Sequence, residues 1–226
     1  SIRGEDKSKY LGSDENWEIC EASLEKAAKE NKLPYKIIKG EAAFYGPKLD
    51  FMFKDVLGRP WQLATVQCDM NLPERFNLTY VNEEGKKERP VVLHRAITGS
   101  IERFMSVLIE HFKGRFPLWL SPTQIKVLTI SDKHISFAQQ IVSRLKEYDL
   151  RVELDDRAET MAKKISDAQR EQVNYMITIG DKEVQQGKIA LRTREGVVKF
   201  EIVLDEFIEA VVDEYRNRSL VSPFKK

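Results

Sequence analysis

A histidine at the end of an apolar strand is the first residue of this chain whose chemistry could serve a functional site. His94 follows Val91, Val92 and Leu93 and precedes Arg95. An imidazole in that position could bind a metal ion or act as a base. A lone strand histidine is more often structural, so the sequence leaves both interpretations open here.

A second candidate lies where a glycine and a serine precede a helix. The segment Gly99–Phe104 reads GSIERF, and a helix N-terminus offers unpaired N–H groups to an anion. Arg103, on the first turns of this helix, could stack on a base or bridge phosphates, because its planar guanidinium suits both roles. The alternative is a capped helix with a Glu-Arg pair on its surface.

A rigid turn and the strand that follows it supply further polar candidates. The run AFYGPK presents Tyr45 and Lys48, and Lys48 could serve a phosphate. Residues 62–68 alternate in polarity, which predicts a strand with Gln62 and Gln67 on opposite faces if it is regular. A glutamine facing a core would need a ligand or partner. The ordinary alternatives are a loop lysine and an exposed strand edge.

The elements that must position these residues change in character near residues 116–122, where two prolines forbid a continuous helix. Before this boundary, a helix from Ser13 precedes strands, which is an α+β pattern with an antiparallel sheet. Strands are predicted at Tyr35–Lys39, Leu49–Lys54 and Gln62–Cys68, and a further pair at Asn77–Val81 and Pro90–His94.

After the boundary, strands and helices alternate. This order predicts an α/β domain with a mainly parallel sheet that is covered on both faces. We therefore expect two domains, residues 1–119 and residues 120–226.

Composition limits the function classes. The chain has 226 residues, with 37 Lys+Arg against 36 Asp+Glu, so non-specific binding of nucleic acid through bulk charge is excluded, whereas a local basic groove is not. The runs Lys86-Lys87 and Lys163-Lys164 are interpreted as solvated surface.

Two cysteines provide no disulfide framework. No apolar run approaches the roughly 20 residues that a membrane span needs. These features favour a cytoplasmic protein without a membrane partner, although an organelle is not excluded. The start at Ser1 is compatible with a processed chain or with a fragment.

Three segments, taken together and in order, resemble one known family. They are AFYGPKLDF at 43–51, WQLATVQCDMNLPERF at 61–76 and RPVVLHRAITGSIERF at 89–104. They are similar to threonyl-tRNA synthetase, and the third contains motif 3 of the class II aminoacyl-tRNA synthetases. FPLWLSP and the α/β segment after it, with GDKEV at 180–184 and ALRTREG at 190–196, resemble the anticodon-binding domain of that family. The resemblance implies the C-terminal portion of such an enzyme.

The resemblance also implies site residues in the first domain. It makes His94 one of three protein ligands to a zinc ion that receives the amino and hydroxyl groups of threonine. A metal bond to that hydroxyl would discriminate against valine, which an apolar pocket could not do. The same resemblance implies that ATP and its Mg²⁺ lie near Arg103 and Gln62. Lys48 would stabilise the threonine carboxylate or the α-phosphate. The threonine site would be lined by Tyr45, Gln67 and Ser100.

In the second domain, the resemblance makes Glu183 and Arg192 residues that read anticodon bases. The second helix of this domain departs from the family, which usually has Arg-Asn-Glu-Lys where this chain has Arg-Ala-Glu-Thr. The amide and two charges that touch RNA in the family are replaced here by Ala158, Thr160 and Ser166.

The function implied for the full-length enzyme is ATP-dependent ligation of threonine to tRNA(Thr), by a homodimer. The other two zinc ligands would lie upstream, so we expect this chain alone to be incomplete and inactive. The alternative is a non-catalytic synthetase-like module that binds tRNA or partners a separate catalytic chain. A prolyl, histidyl or glycyl enzyme is a third option, against which His94 and AFYGPK argue.

Overall fold

The structure, a computed structural model, describes residues 1–225. It divides into two compact units, Ser1–Glu110 and a second unit that begins at His111. Within residues 1–225, no helix is both long enough and apolar enough to cross a membrane.

The first unit opens with helix α1 (Asp14–Glu30), which begins at the predicted cap. The Ser13 hydroxyl accepts a hydrogen bond from the Asn16 N–H at 3.2 Å, which satisfies one of the free donors of the first turn. Trp17, Cys20 and Ala28 form its buried face. These residues recur at helical spacing, as expected for one side of a helix that packs against the rest of the unit.

The sheet of the first unit has three antiparallel strands, in the order β1 (Lys48–Lys54), β2 (Pro60–Asp69) and β5 (Val92–Ala96). One short helix and two strands of two residues each lie between the second and third strands of this sheet, and one helix follows the third strand. In chain order the elements are β1 (Lys48–Lys54), β2 (Pro60–Asp69), α2 (Asn71–Arg75), β3 (Tyr80–Val81), β4 (Lys87–Glu88), β5 (Val92–Ala96) and α3 (Ile101–Phe112).

Two predictions about these strands are wrong. The segment Tyr35–Lys39 forms no strand; only an isolated bridge from Ile2 to Lys39 is present in it. Strand β5 pairs with β2, and the partner of Tyr80–Val81 is β4. Local β propensity cannot show which edge a strand joins, because pairing depends on segments distant in sequence.

A bulge interrupts the pairing of β1 with β2. Phe51 pairs with Ala64, but Met52 pairs with Gln62, so Leu63 is the extra residue. Gly99 lies against this point with φ +68°, and a Cβ atom there would come within 2.5 Å of the Leu63 carbonyl oxygen. Only glycine allows this approach without displacing backbone.

The second unit contains one five-stranded sheet, with its strands in the order β10 (Val198–Val203), β9 (Lys188–Thr193), β8 (Tyr175–Ile179), β6 (Ile125–Thr129) and β7 (Val152–Asp155). Strand β6 pairs in parallel with β7 and β8, whereas the β8–β9 and β9–β10 pairings are antiparallel. The sheet is therefore mixed, and the predicted parallel arrangement applies to three strands only, because the terminal hairpin joins the same sheet. The bounds are β6 (Ile125–Thr129), α4 (Ile135–Lys146), β7 (Val152–Asp155), α5 (Met161–Arg170), β8 (Tyr175–Ile179), α6 (Asp181–Gln186), β9 (Lys188–Thr193), β10 (Val198–Val203) and α7 (Leu204–Arg216).

Helices cover both faces of this sheet, as predicted. The larger core cluster joins it to α4 and α7, and a smaller cluster joins the opposite face to α5. Helix α5 also corrects the interpretation of the Lys163-Lys164 run. Lys164 is only 1% exposed, and its ammonium group donates to the carbonyls of Thr129 and Asp155 at 2.8 and 3.1 Å.

Candidate active site

One face of the first sheet carries a row of polar side chains. The backbone register places Lys48 opposite Gln67, and Gln67 opposite His94. Directly opposed residues in antiparallel strands point to the same face. The structure therefore brings together three residues that the sequence offered from three separate segments.

Asp50 links this row to Gln62. One of its carboxylate oxygens lies 3.1 Å from the Lys48 ammonium nitrogen, and the other accepts from the Gln62 amide at 2.6 Å and from the Thr65 hydroxyl at 3.1 Å. The expectation that Gln62 and Gln67 face opposite ways is wrong, because it assumed a regular strand. The bulge at Leu63 turns Gln62 to the side of Asp50.

Asp50 itself was missed by the sequence analysis. It is the second residue after Lys48 in a strand, so the alternation of strand faces could have indicated that both side chains point the same way. The two side chains are 12% and 16% exposed. A carboxylate and an ammonium group are thus paired in a mostly enclosed position.

The turn before β1 brings Tyr45 to the other end of the row. Its hydroxyl hydrogen bonds to the Gln67 amide oxygen, and its ring centroid lies 5.1 Å from that of His94. Burial and the nearby charge of Asp69 raise the pKa of Tyr45, so this hydroxyl is held protonated as a donor. Gly46 makes the approach possible, because a Cβ atom at this position would collide with the Cys68 carbonyl oxygen.

The buried carboxylate of Asp69 hydrogen bonds to the His94 ring. Its Nε2 lies 2.9 Å from Asp69 Oδ2; the Asp69 side chain is fully buried, and that of His94 is 35% exposed. The other oxygen, Oδ1, accepts from the backbone N–H groups of Asn71 and Leu72 at 2.8 and 3.0 Å. Sequence analysis missed Asp69, although an aspartate just before a short helix is a capping signal.

The described residues contain no group of three or more His, Cys, Asp or Glu side chains placed to hold a metal ion. His94 nevertheless has the arrangement common among metal-binding histidines, with one ring nitrogen on a carboxylate and the other available. His94, with Asp69 behind it, fits the role of one ligand of a metal site. A complete tetrahedral site needs donors beyond those described.

The segment Gly99–Arg103 forms the capped start of α3, which the sequence left open as the alternative. The Ser100 hydroxyl accepts from the Arg103 N–H at 3.2 Å and so caps the first turn of α3. The guanidinium of Arg103 donates to the Gln62 carbonyl at 2.8 Å and lies 5.5 Å from the Trp61 ring centroid. Arg103 is thus anchored at the bulge, at the Gln62 end of the polar face.

In the second unit, Glu183 and Arg192 lie on different elements. Glu183 accepts from the Gly180 N–H at 2.9 Å and so secures the start of α6. Arg192 is on β9, opposite Met176 of β8, on the side of the sheet that α5 covers. Both side chains are partly exposed, so each retains surface for a partner.

The positions that depart from the family pattern lie around α5. Thr160 caps this helix by accepting from the Lys163 N–H at 3.3 Å, and Ala158 and Ser166 are exposed. The neighbouring Arg157 is occupied by Asp155 and Asp167, and its hydrogen bonds hold the pKa of the Asp155 carboxyl below its usual range.

His134 is buried in the second unit. Its Nε2 lies 3.1 Å from Asp181 at the start of α6, and its Nδ1 accepts from the Ser131 backbone N–H at 3.3 Å. The imidazole therefore ties the loop after β6 to the first residue of the helix that carries Glu183.

Comparison with known proteins connects both units to one family. A model of the tRNA synthetase class II core domain (G, H, P, S and T) matches residues 38–112, and a model of the anticodon binding domain matches residues 124–214. The first range contains all the polar-face candidates and Arg103. The second contains Glu183 and Arg192.

Individual relatives agree with these models. The threonine–tRNA ligase of Clostridium tetani (strain Massachusetts / E88) is 50% identical over 218 residues, which is 96% of this chain and 34% of the relative. That of Caldanaerobacter subterraneus subsp. tengcongensis is 49% identical over 210 residues, 93% of this chain and 33% of the relative. The chain thus spans about a third of the length of these curated relatives.

A solved structure shows the same fold. The crystal structure of the RNA binding domain of threonyl-tRNA synthetase from Cryptosporidium parvum Iowa II is 37% identical, with a TM-score of 0.83. The match covers 99% of this chain and 55% of that chain. The chain therefore belongs to the threonyl-tRNA synthetase family, of which it carries a class II core segment and the anticodon-binding domain.

Proposed function

We propose that the full-length protein containing this chain is a threonine–tRNA ligase, which activates threonine with ATP and transfers it to tRNA(Thr). The observation that carries this proposal is the single polar face of the first sheet. Side chains expected at ATP and at threonine lie on it as one connected set, from Arg103 and Gln62 at one end to Gln67, Tyr45 and His94 at the other.

The Arg103 end suits a nucleotide. A guanidinium can lie over a base or along phosphate oxygens, and this one is held by Gln62 and Trp61. Lys48, between the two ends of the face, supplies positive charge where carboxylate and α-phosphate would meet. Such a fixed charge lowers the activation barrier of the reaction, because it is already in place when negative charge develops at the phosphate in the transition state. Mg²⁺ is expected with the ATP phosphates.

The His94 end suits the amino acid. His94 would hold a zinc ion together with donors outside this chain, and the bound ion would offer threonine a ligand position for its amino and hydroxyl groups. The protein groups around it have their own task. Tyr45 and Gln67 are polar groups that their mutual hydrogen bond holds in place, so they can hydrogen bond to a small polar substrate. Ser100, at the start of α3, would line the same site.

Recognition of tRNA is proposed for the second unit, through Glu183 and Arg192. A carboxylate and a guanidinium read complementary edges of unpaired bases. Since Ala158, Thr160 and Ser166 lack the amide and charges usual in the family, the α5 surface contributes little to this recognition. Homodimerisation and a cytoplasmic location complete the proposal, as the resemblance implies.

The test is ATP–pyrophosphate exchange by the full-length protein with each amino acid. We expect exchange that depends on threonine and is lost in Arg103→Ala, which removes charge at the nucleotide end. Exchange with another amino acid only would refute the threonine assignment. Absence of exchange together with retained binding of tRNA(Thr) would support the non-catalytic module instead.

A further inference from the structure

Asp69 is anchored independently of His94. Its Oδ1 accepts two backbone N–H groups, those of Asn71 and Leu72, and its side chain is fully buried. The carboxylate therefore has little freedom to rotate. Its Oδ2 is left as a fixed acceptor, 2.9 Å from His94 Nε2.

A fixed acceptor determines which ring nitrogen of a neutral imidazole carries the proton. A neutral imidazole has one N–H and one lone pair. Because an ionised carboxylate can only accept, Nε2 must be the protonated nitrogen. The lone pair of His94 is then on Nδ1.

We infer that Asp69 is a positioning residue that fixes His94 in the Nε2–H form, so that this histidine binds its metal ion through Nδ1. The inference rests on the proposed zinc role of His94 and deepens it by naming the coordinating atom. The buried carboxylate also keeps the ring from turning, because rotation would break a hydrogen bond inside the protein.

Asp69→Asn tests the inference with almost no change in shape. The amide oxygen must stay on the Asn71 and Leu72 N–H groups, because the NH₂ group would otherwise face two donors. The NH₂ group then faces His94 Nε2, which must accept, and the ring proton moves to Nδ1. The lone pair needed by the metal is lost.

Asp55→Asn is a matched control in the same unit. Asp55 Oδ1 also accepts two backbone N–H groups, from Leu57 and Arg59, and its Oδ2 accepts a ring N–H, from Trp61 at 3.0 Å. The same chemical change is thus made at a carboxylate that is anchored by two backbone N–H groups in the same way, away from His94, although its Oδ2 also accepts from the Arg59 guanidinium at 2.6 Å.

The first measurement is the tautomer, read by long-range ¹H–¹⁵N NMR of ¹⁵N-histidine at pH 8. The chain has only three histidines, and His94→Gln assigns the signal. We expect Nε2–H in the wild type and in Asp55→Asn, and Nδ1–H in Asp69→Asn. An Nδ1–H form in the wild type, or no change in Asp69→Asn, would overturn the inference.

The second measurement is zinc affinity of the full-length protein by chelator competition. We expect Asp69→Asn to weaken zinc binding about 10- to 100-fold, with Asp55→Asn unchanged. Unchanged affinity in Asp69→Asn, when His94→Ala loses zinc, would overturn the positioning role. Zinc binding that survives His94→Ala would instead refute the metal part of the proposed function, and the NMR result would still decide the tautomer.

Discussion

Gly99→Ala tests whether the close approach of α3 to the bulge shapes the first unit. Gly99 has φ +68°, a conformation that costs an L-residue about 1–2 kcal/mol. The new Cβ atom would also lie 2.5 Å from the Leu63 carbonyl oxygen, whereas ordinary contact begins at 3.4 Å. The backbone must therefore move by about 0.9 Å, the difference between the ordinary contact distance of 3.4 Å and the 2.5 Å found here.

Gly85→Ala separates these two contributions. Gly85 has φ +77° and no atom within 4 Å of the added Cβ atom, so it carries the conformational cost alone. Forced displacement in packed structure costs a further 1–3 kcal/mol, roughly. We expect Gly85→Ala to lose about 1–2 kcal/mol of unfolding free energy and Gly99→Ala about 2–5 kcal/mol.

The assay is urea unfolding followed by tryptophan fluorescence in a Trp119→Phe background, in which only Trp17 and Trp61 of the first unit report. Equal losses for the two alanine variants would refute the argument, because the close contact at Leu63 would then cost nothing.

Three further outcomes are expected. Arg103→Lys should lower the kcat/KM of ATP–pyrophosphate exchange by the full-length protein about 10- to 100-fold, because lysine cannot keep both the Gln62 bond and a planar contact. Lys164→Met should lower the unfolding free energy of the chain by about 2–4 kcal/mol in urea titration, since two buried carbonyls lose their donor. Burial raises the pKa of Glu214 to about 7, above its value in the unfolded chain, so the folded state binds the extra proton between pH 4.5 and 7 and stability falls as the pH rises through that window. The side chain in Glu214→Gln can still accept from Tyr175 but does not titrate. The Tm of this variant, measured by circular dichroism, should therefore not decline as the pH rises from 4.5 to 7.

The features that local pattern controls could be predicted from the sequence. Ser13 predicted the start of α1, and the alternation of residues 62–68 predicted β2. The strand–helix alternation after residue 122 likewise predicted a covered sheet, because each of these signals is contained in a window of a few residues.

The features that depended on distant partners could not be predicted. The residues 35–39, YKIIK, have strand-like composition but no neighbouring strand to pair with. Lys164 is buried because the carbonyls of two other segments meet beneath α5. Gln62 lies on the side of Asp50 because of the bulge at Leu63, and Gly99, far from Leu63 in the chain, packs against that bulge. No periodicity in the sequence shows either feature.

Strand β2 sets the distance between the two ends of the candidate site. Gly99 packs against its Leu63 carbonyl, beside Gln62, and Gly46 packs against its Cys68 carbonyl, beside Gln67. A strand advances roughly 3.3 Å per residue and is stiff along its length, so the nucleotide end and the amino-acid end are held at a nearly constant separation. Each end is fixed by a different glycine. A substitution at Gly99 should therefore displace the Arg103 guanidinium and leave the hydrogen bond between His94 and Asp69 in place.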